Sequence, residues 1–129
     1  MSEGSATPNT AVITTEYRGD VPVVHCSGEV DMLSAAELGE EFDRLLESGP
    51  PAVVIDLGEV AFFGSSGISA LVDAQKGADG HGIRLAVVTK GRPVLRPLES
   101  TLVDRVLTLC ATVDEALEAT ARPDDAVSR

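Results

Sequence analysis

The sequence has no tryptophan, one tyrosine and three phenylalanines in 129 residues, so a core has to be built from Val, Leu, Ile and Ala. Basic residues are also scarce: 10 Lys and Arg face 21 Asp and Glu, a net charge of −11. Binding a phosphate backbone needs a basic patch, so the balance argues against nucleic acid as a partner. It argues equally against an anionic membrane surface. What it suits is solubility, and a partner with a basic face. No run approaches the roughly 18 consecutive apolar residues of a membrane span. The polar stretch from Met1 to Asn9 has neither the basic nor the apolar region of a signal peptide. Two cysteines, Cys26 and Cys110, lack metal or redox spacing and sit in apolar, strand-like runs, where a free thiol acts as a small hydrophobe. No cluster of His, Cys, Asp and Glu has metal spacing, so neither metal nor cofactor is expected. The expectation is a cytoplasmic protein.

What is present is hydrophobic periodicity. At 43% hydrophobic residues the chain is long enough for one domain with a real core. Residues 1–10 and 122–129 read as disordered tails around a domain at 11–121. Ala11 to Tyr17 alternates as a strand, Gly19-Asp20 is a hairpin turn, and Val21 to Ser27 is a second strand. Pro22 belongs at the start of that strand or on an edge. Ser34 with Glu37 reads as a capping box opening a helix whose apolar face is Leu38, Phe42, Leu45 and Leu46, stopped by Gly49-Pro50-Pro51. Residues 52–57 barely alternate, which predicts a strand buried on both faces. A helix follows from about Ser66 to Ala78 with Ile68, Leu71, Val72 and Gln75 on one stripe. Ile83 to Val88 is a strand, 92–101 a short helix despite Pro97, and Val106 to Leu109 a short strand. Thr112 with Glu115 is a second capping box, opening a helix through about Ala121. Helices between successive strands imply an α/β domain with a mostly parallel sheet of about five strands and about four helices.

The most informative stretch is Ala52 to Leu71. A buried strand runs through a short connection into Gly64-Ser65-Ser66-Gly67 and then a helix. Unpaired amides and the helix dipole at that point favour added negative charge, so a serine there can carry a phosphate at little local cost. Capping alone would also explain Ser65, since serine is a preferred N-cap residue. Gly64 and Gly67 serve the tight turn. Asp31 reads either as a turn or helix-end charge or as a partner contact. His25 reads as a sheet residue and His81 as an exposed loop residue.

An enzyme is not indicated. A nucleophile elbow would need glycine where Ile68 stands, and no Gly-Lys-Ser/Thr follows a strand. Neither histidine is tied by motif to a candidate serine.

Three pieces, in order, resemble the STAS domain of anti-sigma factor antagonists: Gly28-Glu29-Val30-Asp31, then Val54-Ile55-Asp56-Leu57 with Val60-Ala61-Phe62-Phe63, then Ser65-Ser66-Gly67-Ile68. The resemblance covers roughly residues 11–121. It implies a partner-switching cycle in which the unphosphorylated antagonist binds an anti-sigma factor and frees a sigma factor. The anti-sigma factor is also a serine kinase that inactivates the antagonist, and a phosphatase resets it. The phosphorylated position carries over to Ser65, with Ser66 the fallback acceptor. The partner surface carries over to Asp31, Gly64, Ser65, Ser66 and Gly67. At Gly64 the sequence departs from the family, which usually has Asp immediately before the serine. The alternative is a ligand sensor or scaffold module on the same fold, not regulated by phosphorylation.

Overall fold

Strands and helices alternate along residues 11–121, the span that the computed structural model describes. The expected disordered tails lie outside those residues. The order is β1 (Val12–Arg18), β2 (Val21–Val30), α1 (Met32–Ser48), β3 (Ala52–Phe63), α2 (Ser65–His81), β4 (Arg84–Val88), α3 (Arg92–Ser100), a 3-10 turn at Val103–Arg105, β5 (Leu109–Cys110) and α4 (Val113–Ala119). One sheet runs β1-β2-β3-β4-β5, antiparallel at the first pair and parallel at the rest. No helix among the described residues is long and apolar enough to cross a membrane.

The hairpin turns at Gly19, whose φ of +65° favours glycine. Pro22 pairs only with Tyr17 of β1; the parallel ladder to β3 starts one residue later, at Val23. Its missing amide therefore costs no bond to β3. Along β3, Val53, Ile55 and Leu57 enter the core under α1, α2 and α3, while Val54 enters a smaller core under α4. That two-sided burial is why the strand does not alternate in sequence. From α1, Leu38, Phe42, Leu45 and Leu46 fill the larger core, as its periodicity predicts.

Several boundaries differ from the sequence expectation. Helix α1 opens at Asp31 rather than Ser34: the Asp31 carboxylate accepts from the Ser34 amide at 3.0 Å and from its hydroxyl at 2.9 Å. Ser34 is buried within the first turn, bonded to the cap. Strands β2 and β3 run on to Val30 and Phe63, beyond the expected ends at Ser27 and Leu57, because they keep pairing through two register shifts, one beside Gly28 at φ +92°. The last strand is only Leu109–Cys110, and Val106 is exposed beside the 3-10 turn. Helix α2 continues through His81 to an αL cap at Gly82, so His81 is helical. Its buried face is Gly67, Leu71, Ala74 and Ala78; of the expected stripe Leu71 is fully buried and Ile68 packs partly buried against the core, while Val72 and Gln75 are off that face. The close approach of α2 to its neighbours demands small side chains: a Cβ at Gly77 would lie 2.8 Å from Leu46 of α1. Thr112 caps α4, its Oγ1 accepting from the Glu115 amide at 3.1 Å, while the Glu115 carboxylate accepts from the Ala111 amide at 3.0 Å, one residue before the cap, and α4 ends at Ala119.

Candidate functional site

Strands β2 and β3 end side by side, with Val30 paired to Phe63. The next residues, Asp31 and Gly64, are the N-caps of α1 and α2, and the Gly64 amide donates to the Val30 carbonyl at 3.3 Å. Parallel pairing thus brings the expected site residues Asp31, Gly64, Ser65, Ser66 and Gly67 to one edge of the sheet.

The start of α2 is electrostatically bare. Its cap is Gly64, not Ser65 as simple capping would have it; no side chain caps the helix and its first turn holds no acid. The Gly64 carbonyl takes the Gly67 and Ile68 amides at 3.0 and 3.2 Å. The amides of Ser65 and Ser66, at the first two helical positions, have no intrahelical acceptor. Ser65 is exposed, whereas Ser66 is half-buried facing α1. Gly67 lies flat against the Phe63 ring. At Gly64 a Cβ would meet the Phe62 ring at 3.2 Å, so the ring occupies space that a larger residue at 64 would claim.

Asp31 has two faces. One carboxylate oxygen holds Ser34, and those bonds pull its pKa below the ordinary carboxylate value. The other makes no hydrogen bond among the described residues. At neutral pH we expect Asp31→Asn to keep the cap and lose only the part of the carboxylate's contribution that depends on charge, and Asp31→Ala to lower Tm further. With a depressed pKa, this carboxylate's contribution is present above pH ~4 and is lost as pH falls through the folded value. Thermal melts of the three proteins across that range check it.

Three apolar side chains missed from sequence surround this edge: Met32 is 77% exposed, Leu33 70% and Phe62 52%. Their signal was available, since Met32 and Leu33 directly follow Asp31 and Phe62 precedes the turn. Periodicity could not tell an exposed Phe62 from the buried Phe63 beside it.

His25 is a sheet residue, as expected, though not a bland one. On the α4 side of the sheet its Nδ1 lies 2.9 Å from Asp56 and its Nε2 2.8 Å from Glu16. Burial opposes its charge, but the bonds to Glu16 and Asp56 outweigh that and raise its pKa. The sign follows: stability from charged His25 is full below pH ~6.5 and disappears as pH rises through the raised value. An NMR titration should place its midpoint above that of a free histidine, and His25→Gln should remove this component from the pH dependence of unfolding.

Cys26 is buried, and burial pushes its thiol up to about 11; Cys110 is half-buried and also raised, by burial and by Glu115. Neither is poised as a thiolate nucleophile.

A family model for the STAS domain matches residues 12–116. The anti-sigma-F factor antagonist RsfB of Mycobacterium tuberculosis is 32% identical over 110 residues, covering 85% of this chain and 89% of RsfB. The crystal structure of an anti-sigma factor antagonist from Mycobacterium paratuberculosis superposes with a TM-score of 0.83 at 32% identity, over 92% of this chain and all of that one. The Bacillus antagonist SpoIIAA, in its unphosphorylated form, gives a TM-score of 0.72 over 84% of this chain and 95% of its own. At 14% identity that likeness is one of fold.

Proposed function

The chain belongs to the STAS domain family, and from that premise we propose that it works as an anti-sigma factor antagonist switched at Ser65. Unphosphorylated, it binds an anti-sigma factor that is also a serine kinase, and so frees a sigma factor. Phosphorylation of Ser65 ends the binding, and a phosphatase restores it. The cycle runs in the cytoplasm, without nucleic acid or membrane as partner, and the chain itself is a binding protein rather than an enzyme.

The observation that carries this reading is the bare start of α2. An exposed hydroxyl stands at a helix end with free amides, no capping side chain and no acid in the first turn. Such an end accepts a phosphate readily, because orphan amides and helix dipole both attract it. The same edge shows Met32, Leu33 and Phe62, an apolar rim suited to a protein interface. A phosphate of about −2 charge is therefore welcome to the domain and unwelcome to a partner packed on that rim. Gly64 fits the scheme: without the usual Asp before the serine, no carboxylate competes with the phosphate for the α2 amides.

The test is displacement. The purified protein is added, in ADP, to complexes of sigma factor with candidate anti-sigma kinases from the same genome. Release of the sigma factor from one of them is expected. Failure to bind any of them overturns the antagonist reading.

A further inference from the structure

Helices α1 and α2 both leave the same edge of the sheet and run the same way, since each follows a parallel strand. Between their first halves lies a groove of about 390 Å³. Its walls are Ala36, Gly39 and Asp43 on α1 and Ser66, Ala70 and Asp73 on α2. Those spacings follow one side of a helix over two turns, so the walls run together for about 10 Å. Phe42, Ile55 and Leu71, each no more than 2% exposed, close the bottom, so the apolar surface within reach is Ala36, Ala70 and, at the mouth, Met32. At one end Ser66 opens beside Ser65. At the other stand two carboxylates, Asp43 and Asp73, exposed and without a salt bridge among the described residues. No lysine, arginine or histidine lines the groove.

We propose that this groove seats a helix of the partner protein whose apolar face carries a lysine or arginine to Asp43 and Asp73. The identity of the partner as an anti-sigma factor rests on the antagonist reading; the chemistry of the occupant rests on the groove. Charge complementarity selects it. Small apolar walls take an apolar face, and the two carboxylates at one end take a cation. A second copy of this chain would bring like charge, since each carries a net −11. A small cation would leave the apolar length of the groove unfilled. Met32 of the exposed apolar rim also lines the groove, so one partner can cover both.

The test titrates ¹⁵N-labelled protein with a synthetic peptide of roughly four helical turns of Leu, Ala and Lys, its lysines on the edge of the apolar face. A twin has Glu for Lys. No kinase or ATP is present, so the outcome is separate from that of the sigma-release experiment. The Lys peptide should shift the Ala36, Gly39, Ser69 and Ala70 amides to saturation, and the Glu twin should not. Asp43→Asn combined with Asp73→Asn should weaken the Lys peptide about five-fold. Both side chains are exposed and unbonded, so that variant should keep the wild-type melt. Equal binding of the twins, shifts elsewhere, or no shift at millimolar peptide overturns the proposal. So do hexylammonium binding as tightly as the peptide, which makes the groove a small-cation site, and groove shifts that depend on protein concentration alone, which give it to a second copy.

Discussion

Gly67→Ala should destabilise the domain by about 2 kcal/mol and lower Tm by about 10 °C. A Cβ at this position would meet three atoms of the Phe63 ring at 2.7, 2.9 and 3.1 Å. Phe63 is 3% exposed, so its ring has no free space to enter. Alanine gains up to about 1 kcal/mol of helix propensity over glycine, while overpacking a core costs about 1–3 kcal/mol. Contact distances this short put Gly67 at the upper end of that cost, and the steric term wins. Gly80 in the same helix is the control. It is exposed, a Cβ there meets nothing within 4 Å, and its φ is not positive. Gly80→Ala should therefore be neutral or stabilising by up to about 1 kcal/mol. Urea unfolding of the two variants decides the matter, and a Gly67→Ala protein as stable as wild type would refute the packing account. The effect reaches the site, because Gly67 is what lets the start of α2 lie against β3. Partner binding should weaken in Gly67→Ala and not in Gly80→Ala.

Ser65→Glu should separate stability from binding more sharply still. A carboxylate in the first turn of an uncapped helix is favourable by about 0.3–1 kcal/mol. The variant should thus unfold at slightly higher urea than wild type. The same charge, placed under a partner that packs on Met32, Leu33 and Phe62, is desolvated without compensation. That costs about 3 kcal/mol, or roughly a hundred-fold in affinity. Titration calorimetry with the anti-sigma factor reads the affinity and urea unfolding the stability. Stability and affinity falling together would mean a damaged helix, not a blocked interface. Unchanged affinity would remove Ser65 from the interface.

What was legible in the sequence depended on how local the cause was. Gly19-Asp20, the apolar face of α1, Gly49 and the Thr112 cap are fixed by residues within a turn or two, and each stands where periodicity or turn chemistry puts it. Parallel order followed from the alternation of strands and helices. The misjudged ends have causes elsewhere in the chain. Strands β2 and β3 extend because each is the other's partner through shifted register, which no window of one strand contains. Serine is so good a cap that Ser34 and Ser65 drew the helix starts to themselves. In the fold, Asp31 and Gly64 hold those positions because they follow the paired residues Val30 and Phe63. The candidate site residues, and the expectation that Asp31 shares a surface with Ser65, came from the family resemblance; the pairing that joins them could not be read from either segment alone. That Asp31 and Ser65 share an edge is a consequence of pairing between strands separated by a whole helix. The exposure of Phe62 against the burial of Phe63 is likewise set by which face of β3 meets the helices.

The measurement that bears most directly on the switch is intact mass. Wild type, Ser65→Ala and Ser66→Ala are each incubated with the anti-sigma kinase that binds the wild-type protein, ATP and magnesium. The account predicts one added phosphate on wild type and on Ser66→Ala, and none on Ser65→Ala. A phosphate that persists on Ser65→Ala, or a kinase that binds wild type and transfers nothing, would contradict it.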